Sequence, residues 1–183
     1  MKKVVVFLAD GFEEIEAIGT IDILRRCNID VTICSIGSSH YVTAAHEVKV
    51  APDTTIDKIN INDFDGFICP GGGVGAENLR NSKDVTSIIK SAFDNGKLVA
   101  AICAAPTVFE AAGIMKGKKA TIYPSMKDYL KDASYSNDDV VIDGNIITGA
   151  GPFITFKFAL AIAEYLVGKD DATQVGKDML YFK

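Results

Sequence analysis

Short apolar runs that alternate with longer stretches of helical spacing constrain the fold of this chain more than any other feature. Lys3 to Leu8 is a continuous Val/Phe/Leu run, and Asp30 to Ile36, Phe64 to Cys69 and Leu98 to Ile102 follow the same pattern. Runs this short, with little polar alternation, read as strands covered on both faces. Between them, the residues from about Glu13 to Cys27 and from Ser82 to Asn95 carry helical spacing, the second stretch stopped by Gly96. Strand and helix repeated in this order predict an α/β fold with a mostly parallel sheet and helices on both faces. Ligands of such sheets gather at the carboxyl ends of the strands.

The remaining segments fit the same frame. Tyr41 to Ala51 holds two short extended pieces, which predict a small antiparallel excursion. Val140–Ile142 and Asn145–Thr148 flank Asp143-Gly144, a hairpin signal. After Gly151-Pro152 comes a helix through Val167, apolar enough that it must lie against the sheet. The chain has 183 residues, 48% of them hydrophobic, with no repeat, linker or low-complexity tract. It is therefore expected to form one domain, 1–183, burying roughly 70% of its unfolded surface.

Charge and cysteine usage narrow the partners. A net charge of −5 with scattered lysines offers no basic stripe, which argues against nucleic acid or an anionic membrane surface and for a small-molecule partner. Met1-Lys-Lys followed by Val4 to Ala9 imitates the start of an export signal, but Asp10 and Glu13 end the apolar run too early, and no run is long enough to span a bilayer. Cys27, Cys34, Cys69 and Cys103 contain no Cys-x-x-Cys pair. A chain of this size needs no disulfide frame, so a reducing, cytoplasmic setting is expected.

Three strand ends carry candidate chemistry. Leu98-Val-Ala-Ala-Ile-Cys103-Ala-Ala-Pro106 drives a buried strand into a cysteine and then opens a helix, with Pro106 suited to the first helical position. A thiol at that corner sits beside unpaired N–H groups, that of Ala104 among them, and near the positive end of a helix dipole; both favour thiolate. Cys103 is equally readable as a small buried hydrophobe. The first strand ends in Asp10-Gly-Phe-Glu-Glu-Ile-Glu16. Asp10 with Glu13 has the pattern of a capping box, and Glu13 and Glu14 are accounted for by a helix N-terminus. Glu16 lies beyond the cap among Ile15, Ala17 and Ile18, where burial raises its pKa and keeps it protonated near neutrality. The third strand ends in Cys69-Pro-Gly-Gly-Gly73-Val-Gly75. It serves as an oxyanion hole of bare N–H groups or as a tight turn that needs positive φ.

Several chemistries are excluded by what is missing. A dinucleotide fingerprint starting at Gly73 fails at Asn78, and there is no Walker lysine and no Gly-x-Ser-x-Gly elbow. His40 and His46 precede Cys103 and suit neither a hydrolase base nor a common zinc motif, so no metal is expected. Cys27, Cys34 and Cys69 are read as inert packing.

Asp10-Gly-Phe-Glu-Glu-Ile-Glu16, Pro70-Gly-Gly-Gly, Ala100-Ala-Ile-Cys103-Ala-Ala-Pro-Thr and Phe158-Ala-Leu-Ala-Ile-Ala-Glu164 together resemble the DJ-1 branch of the ThiJ/PfpI superfamily, nearly end to end. The resemblance implies a flavodoxin-like three-layer α/β sandwich, commonly a homodimer, with a reactive Cys103 and a protonated Glu16 hydrogen-bonded to it. It implies Gly71 and Gly72 as backbone donors to an oxyanion, with Glu13, Tyr123, Pro124 and Gly151 around the pocket. Members of the superfamily are described as cofactor-free glyoxalases acting on methylglyoxal, as deglycases, as oxidative-stress sensors or chaperones, and as peptidases. The implied function here is a cofactor-independent cysteine enzyme on 2-oxoaldehydes or their adducts, with a redox-responsive stress protein or chaperone as the alternative. The chain departs from the pattern at three places. Thr121-Ile-Tyr123-Pro124 has tyrosine where the superfamily often has histidine, and tyrosine, with a reference pKa near 10, is a poor base. Ala104 replaces the histidine that follows the nucleophile in the peptidase branch, which makes a peptidase or amidase the weakest reading. Gly149-Ala150-Gly151 carries a small residue where many relatives have arginine, removing an anion-binding group.

Overall fold

The computed structural model describes residues 1–182. Its strands are β1 (Lys3–Leu8), β2 (Asp30–Ser35), β3 (Val42–Thr43), β4 (Lys49–Val50), β5 (Thr54–Thr55), β6 (Gly66–Cys69), β7 (Leu98–Ile102), β8 (Lys119–Ala120), β9 (Ser134–Tyr135), β10 (Val140–Asp143) and β11 (Ile146–Gly149). Its α-helices are α1 (Glu14–Arg26), α2 (Gly73–Asn81), α3 (Lys83–Asp94), α4 (Pro106–Ala111), α5 (Thr155–Val167) and α6 (Lys169–Asp178). Seven strands form one sheet in the order β10-β11-β7-β6-β1-β2-β5, parallel throughout except for the β10–β11 hairpin at one edge. β3 and β4 make the expected antiparallel excursion, and β8 and β9 pair separately.

Side-chain alternation builds two cores from the same strands. Val5, Phe7, Phe67, Val99 and Ala101 face the helices α2, α3 and α4 through Leu79, Ile89 and Phe109. Val4, Val6, Leu8, Ile68, Ala100 and Ile102 face α1 and α5 through Ala17, Leu24, Phe158 and Ile162. With both faces covered the strands need no polar positions, which is why they read as continuous apolar runs. Removing one large buried side chain such as Phe109 costs about 3 to 5 kcal/mol.

Two local expectations are corrected. Asp10 and Glu13 do not form a capping box: Glu13 is itself the N-cap of α1, its carboxylate accepting the Glu16 N–H at 2.8 Å. The turn through Gly11, at φ +84°, delays the helix, and Asp10 instead accepts the Thr43 N–H at 2.8 Å. The glycine run after β6 is a turn only as far as Gly72, because α2 begins at Gly73. Glycines disfavour a helix by about 1 kcal/mol each, yet a Cβ on Gly75 would lie 2.6 Å from the Phe12 Cα. Close packing of α2 against the 11–12 turn requires the residue that weakens the helix.

Candidate active site

β1, β6 and β7 are neighbours, so the segments leaving their carboxyl ends converge. The chain order reverses between β1 and β6, the switch point at which open α/β sheets leave a crevice. α1 brings Glu16 there, the turn after β6 brings Gly71 and Gly72, and the turn after β7 brings Cys103.

Cys103 sits at φ +60°, a left-handed conformation that costs a residue with a Cβ about 1 to 2 kcal/mol. Two backbone hydrogen bonds hold it. Its N–H donates to the Gly149 carbonyl at 2.9 Å and its own carbonyl accepts the Tyr123 N–H at 3.0 Å. The sharp turn aims the sulfur at the backbone N–H groups of Gly72 and Ala104, which stabilise negative charge on it. Burial nevertheless dominates. Together with the adjacent Glu16 carboxylate it pushes the thiol up to about 12, against the expectation that the elbow favours thiolate. Cys103 is the one cysteine of the four that is not fully buried.

Glu16 is completely buried. Its Oε2 accepts the Gly71 N–H at 2.7 Å, while Oε1 has no hydrogen-bond partner among the described residues. Burial raises the carboxyl to about 7, opposed by the Cys103 thiol and the Gly71 N–H and reinforced by the nearby Glu13 charge. An acid that stays protonated near neutrality is what the sequence predicts for Glu16. Space around the pair is tight, since a Cβ on Gly71 would lie 2.5 Å from Glu16 Oε2 and 2.7 Å from the Cys103 Cβ. A glycine is needed where the acid and the sulfur approach each other.

Burial raises both groups, so near and above neutral pH the pair holds one proton between them. That proton rests on sulfur beside a carboxylate or on the carboxyl beside a thiolate.

The other expected residues fall into place unevenly. Gly71 is corrected as an oxyanion donor, because its N–H is committed to Glu16. Gly72 and Ala104 are the N–H groups at the sulfur. Glu13 points its carboxylate at the helix start and reaches the site only through its charge. The Tyr123 ring, partly exposed, lies against Gly151, where a Cβ would come within 3.3 Å of it. Pro124 opens an exposed 3-10 turn, Pro124–Tyr129. Gly149, which fixes the elbow, carries no motif that singles it out. His46, read from sequence only as lacking a role, donates its backbone N–H to Glu14 at 2.7 Å and places Nδ1 2.9 Å from the same carboxylate. Glu13, Glu14 and His46 offer ligand atoms within 4.8 Å of one another, the pairing of His46 with Glu14 accounting for the cluster.

Burial pushes Cys34 up to about 12 and Cys69 higher still, so both are inert. No described helix is long and apolar enough to cross a membrane.

Comparison with known proteins places this arrangement in context. The model of the DJ-1/PfpI family matches residues 2–165. "Protein DJ-1 homolog B" of Arabidopsis thaliana is 39% identical over 179 residues, covering 97% of this chain and 41% of the relative, so the chain spans less than half of that protein's length. "Deglycase PH1704" of Pyrococcus horikoshii is 34% identical over 152 residues, 82% of this chain and 90% of the relative. The crystal structure of Drosophila melanogaster DJ-1beta superposes with a TM-score of 0.94 at 42% identity, covering 98% of this chain and 97% of that one.

Proposed function

The chain belongs to the DJ-1/PfpI family, and from that premise we propose that it is a cofactor-independent cysteine enzyme acting on 2-oxoaldehydes such as methylglyoxal, or on their adducts. The observation that carries the reading is the buried Glu16 carboxyl, raised to about 7, coupled to the thiol of Cys103. A single shared proton lets the carboxyl hold it while the sulfur is a thiolate, and the N–H groups of Gly72 and Ala104 offset part of the burial that opposes that arrangement.

The thiolate adds to the aldehyde carbon, forming the S–C bond of a hemithioacetal, and the new alkoxide takes the proton from Glu16. Glu16, now a carboxylate, removes the hydrogen from that same carbon and returns it to the neighbouring one, while the hydroxyl proton passes from the first carbon's oxygen to the neighbouring carbonyl oxygen. The first carbon is thereby oxidised to a thioester and the second reduced to an alcohol, so no external oxidant or reductant enters. Water then cleaves the thioester, releasing lactate and regenerating the thiol. Unpartnered Oε1 of Glu16 is free to carry the proton through each transfer. Tyr123 stands where the superfamily often has histidine, which leaves Glu16 to do this alone. Incubation with methylglyoxal followed by lactate assay tests the reading. Wild type turns over and Cys103→Ala and Glu16→Gln do not; lactate no higher than in Cys103→Ala ends the proposal.

A second reading, a redox-responsive stress protein or chaperone, is favoured by Cys103 being the one free cysteine that is not buried. Oxidation to a sulfinate beside Glu16 would then set partner choice. Mass analysis after mild peroxide tests it, and oxidation of another cysteine before Cys103 refutes it.

We assign a homodimer to the face carrying Ile15, Ile18, Phe153 and Phe156. All four are exposed, and Phe153, at 96%, is a large ring left in water. They adjoin a mostly apolar hollow of about 590 Å³ between α1 and α5, a surface of the kind that marks an interaction site. Light scattering that gives the monomer mass refutes the assignment. The unpaired cysteines support a reducing, cytoplasmic location.

A further inference from the structure

A second hollow, of about 350 Å³, opens at the carboxyl ends of β1 and β2, between the end of α2 and the loop that follows β2. It lies at the opposite end of α2 from Gly72, about 13 Å away along nine residues of helix. Its volume is that of a small-ligand site, and strand carboxyl ends are where this architecture binds ligands.

The chemistry of its walls is specific. Asp10 is the only charged residue lining it, so no lysine, arginine or histidine is present to hold a phosphate or carboxylate. Asp10 uses Oδ1 to accept the Thr43 N–H, which leaves its other oxygen as an acceptor. Asn78 spends its Nδ2 on the Asp10 carbonyl at 2.9 Å, which leaves its side-chain oxygen as a second acceptor. Ser35, almost wholly buried, accepts the Gly37 N–H at 3.0 Å, and Ser82 accepts the Val85 N–H at 3.3 Å. Each of these hydroxyls therefore keeps its hydrogen to donate. The hollow thus offers both acceptors and donors without a cation, and hydroxyls satisfy both kinds. Beneath them Ala9 and Val42 form an apolar floor, with the half-exposed ring of Tyr41 at the edge. Such a surface suits the C–H face of a sugar ring.

We infer that this hollow binds a neutral polyhydroxylated molecule of monosaccharide size, at a site separate from Cys103. The inference stands whether or not Cys103 turns over 2-oxoaldehydes.

Amide spectra of the full chain titrated with methyl α-D-glucopyranoside test it; this sugar has no free aldehyde and cannot react at Cys103. Saturable shifts are expected at Asp10, Gly37, Val42 and Ser82, unchanged in Cys103→Ala. In Asn81→Ala/Ser82→Ala they weaken about tenfold, the loss of two neutral hydrogen bonds. Asn81 also lines the hollow and is exposed, so Asn81→Ala alone, with a smaller loss, keeps the test free of folding defects. Shifts that never saturate, shifts centred on Gly71, Gly72 and Ala104, equal affinity in the variants, or tighter binding of inorganic phosphate would each overturn the inference.

Discussion

Replacing Glu16 by glutamine should stabilise the protein in alkaline solution and not in acid. The carboxyl is raised from an ordinary value of 4.5 to about 7 by burial, so the folded chain keeps this proton up to about pH 7 whereas the unfolded chain releases it near 4.5. Between those values the folded state binds more protons, and stability falls as pH rises through the window. The full separation corresponds to about 3 kcal/mol at 1.36 kcal/mol per pH unit. Glutamine is neutral at every pH, and its amide oxygen can still accept the Gly71 N–H that Oε2 accepts in the wild type. Its advantage over wild type therefore grows by about 2 to 3 kcal/mol between pH 5 and pH 8. In urea that is a midpoint difference of about 1 M, given a slope of about 2 to 3 kcal/mol/M. Urea titrations of both proteins at the two pH values measure it. A difference that stays constant with pH refutes the claim that burial of Glu16 is uncompensated.

Alkylation of Cys103 by iodoacetamide should accelerate through pH 7, where the acid–thiol pair passes from two protons to one, and Glu16→Gln should erase that inflection; rates followed by mass spectrometry report it. Gly71→Ala puts a Cβ 2.5 Å from Glu16 Oε2, so turnover should fall by a factor of about 100 or more for a stability loss of about 1 to 3 kcal/mol, read by lactate assay and thermal melting. Tyr123→His supplies a base titrating near neutrality beside the elbow and should raise turnover about tenfold or more, whereas Tyr123→Phe leaves it within about twofold; a steady-state comparison at pH 7 separates the two.

The sheet was legible because its strands are buried on both faces; β7 falls where its apolar run places it, and the β10–β11 hairpin forms as expected but with its turn one residue later, at Gly144-Asn145 rather than Asp143-Gly144. α2 was not, since its glycines serve a close approach to Phe12 that arises only after β1 and β6 pair. The acid and the thiol were legible as residue types out of place, a glutamate amid apolar neighbours and a cysteine at a strand end. The resting ionisation of the thiol was not, because it depends on how deeply the fold encloses the sulfur. Gly71 was assigned the wrong acceptor for the same reason: a bare N–H is visible in sequence, but not what it meets. The link from His46 to Glu14 joins residues 32 apart and has no local signature.

The bond from Cys103 to Gly149 ties the elbow to a strand made 46 residues later. A ribosome that has synthesised the thiol has not yet synthesised the clamp that bends it. Nascent chains therefore lack the bent elbow, and the sulfur meets the Gly72 and Ala104 N–H groups in its folded geometry only once β11 has emerged and docked.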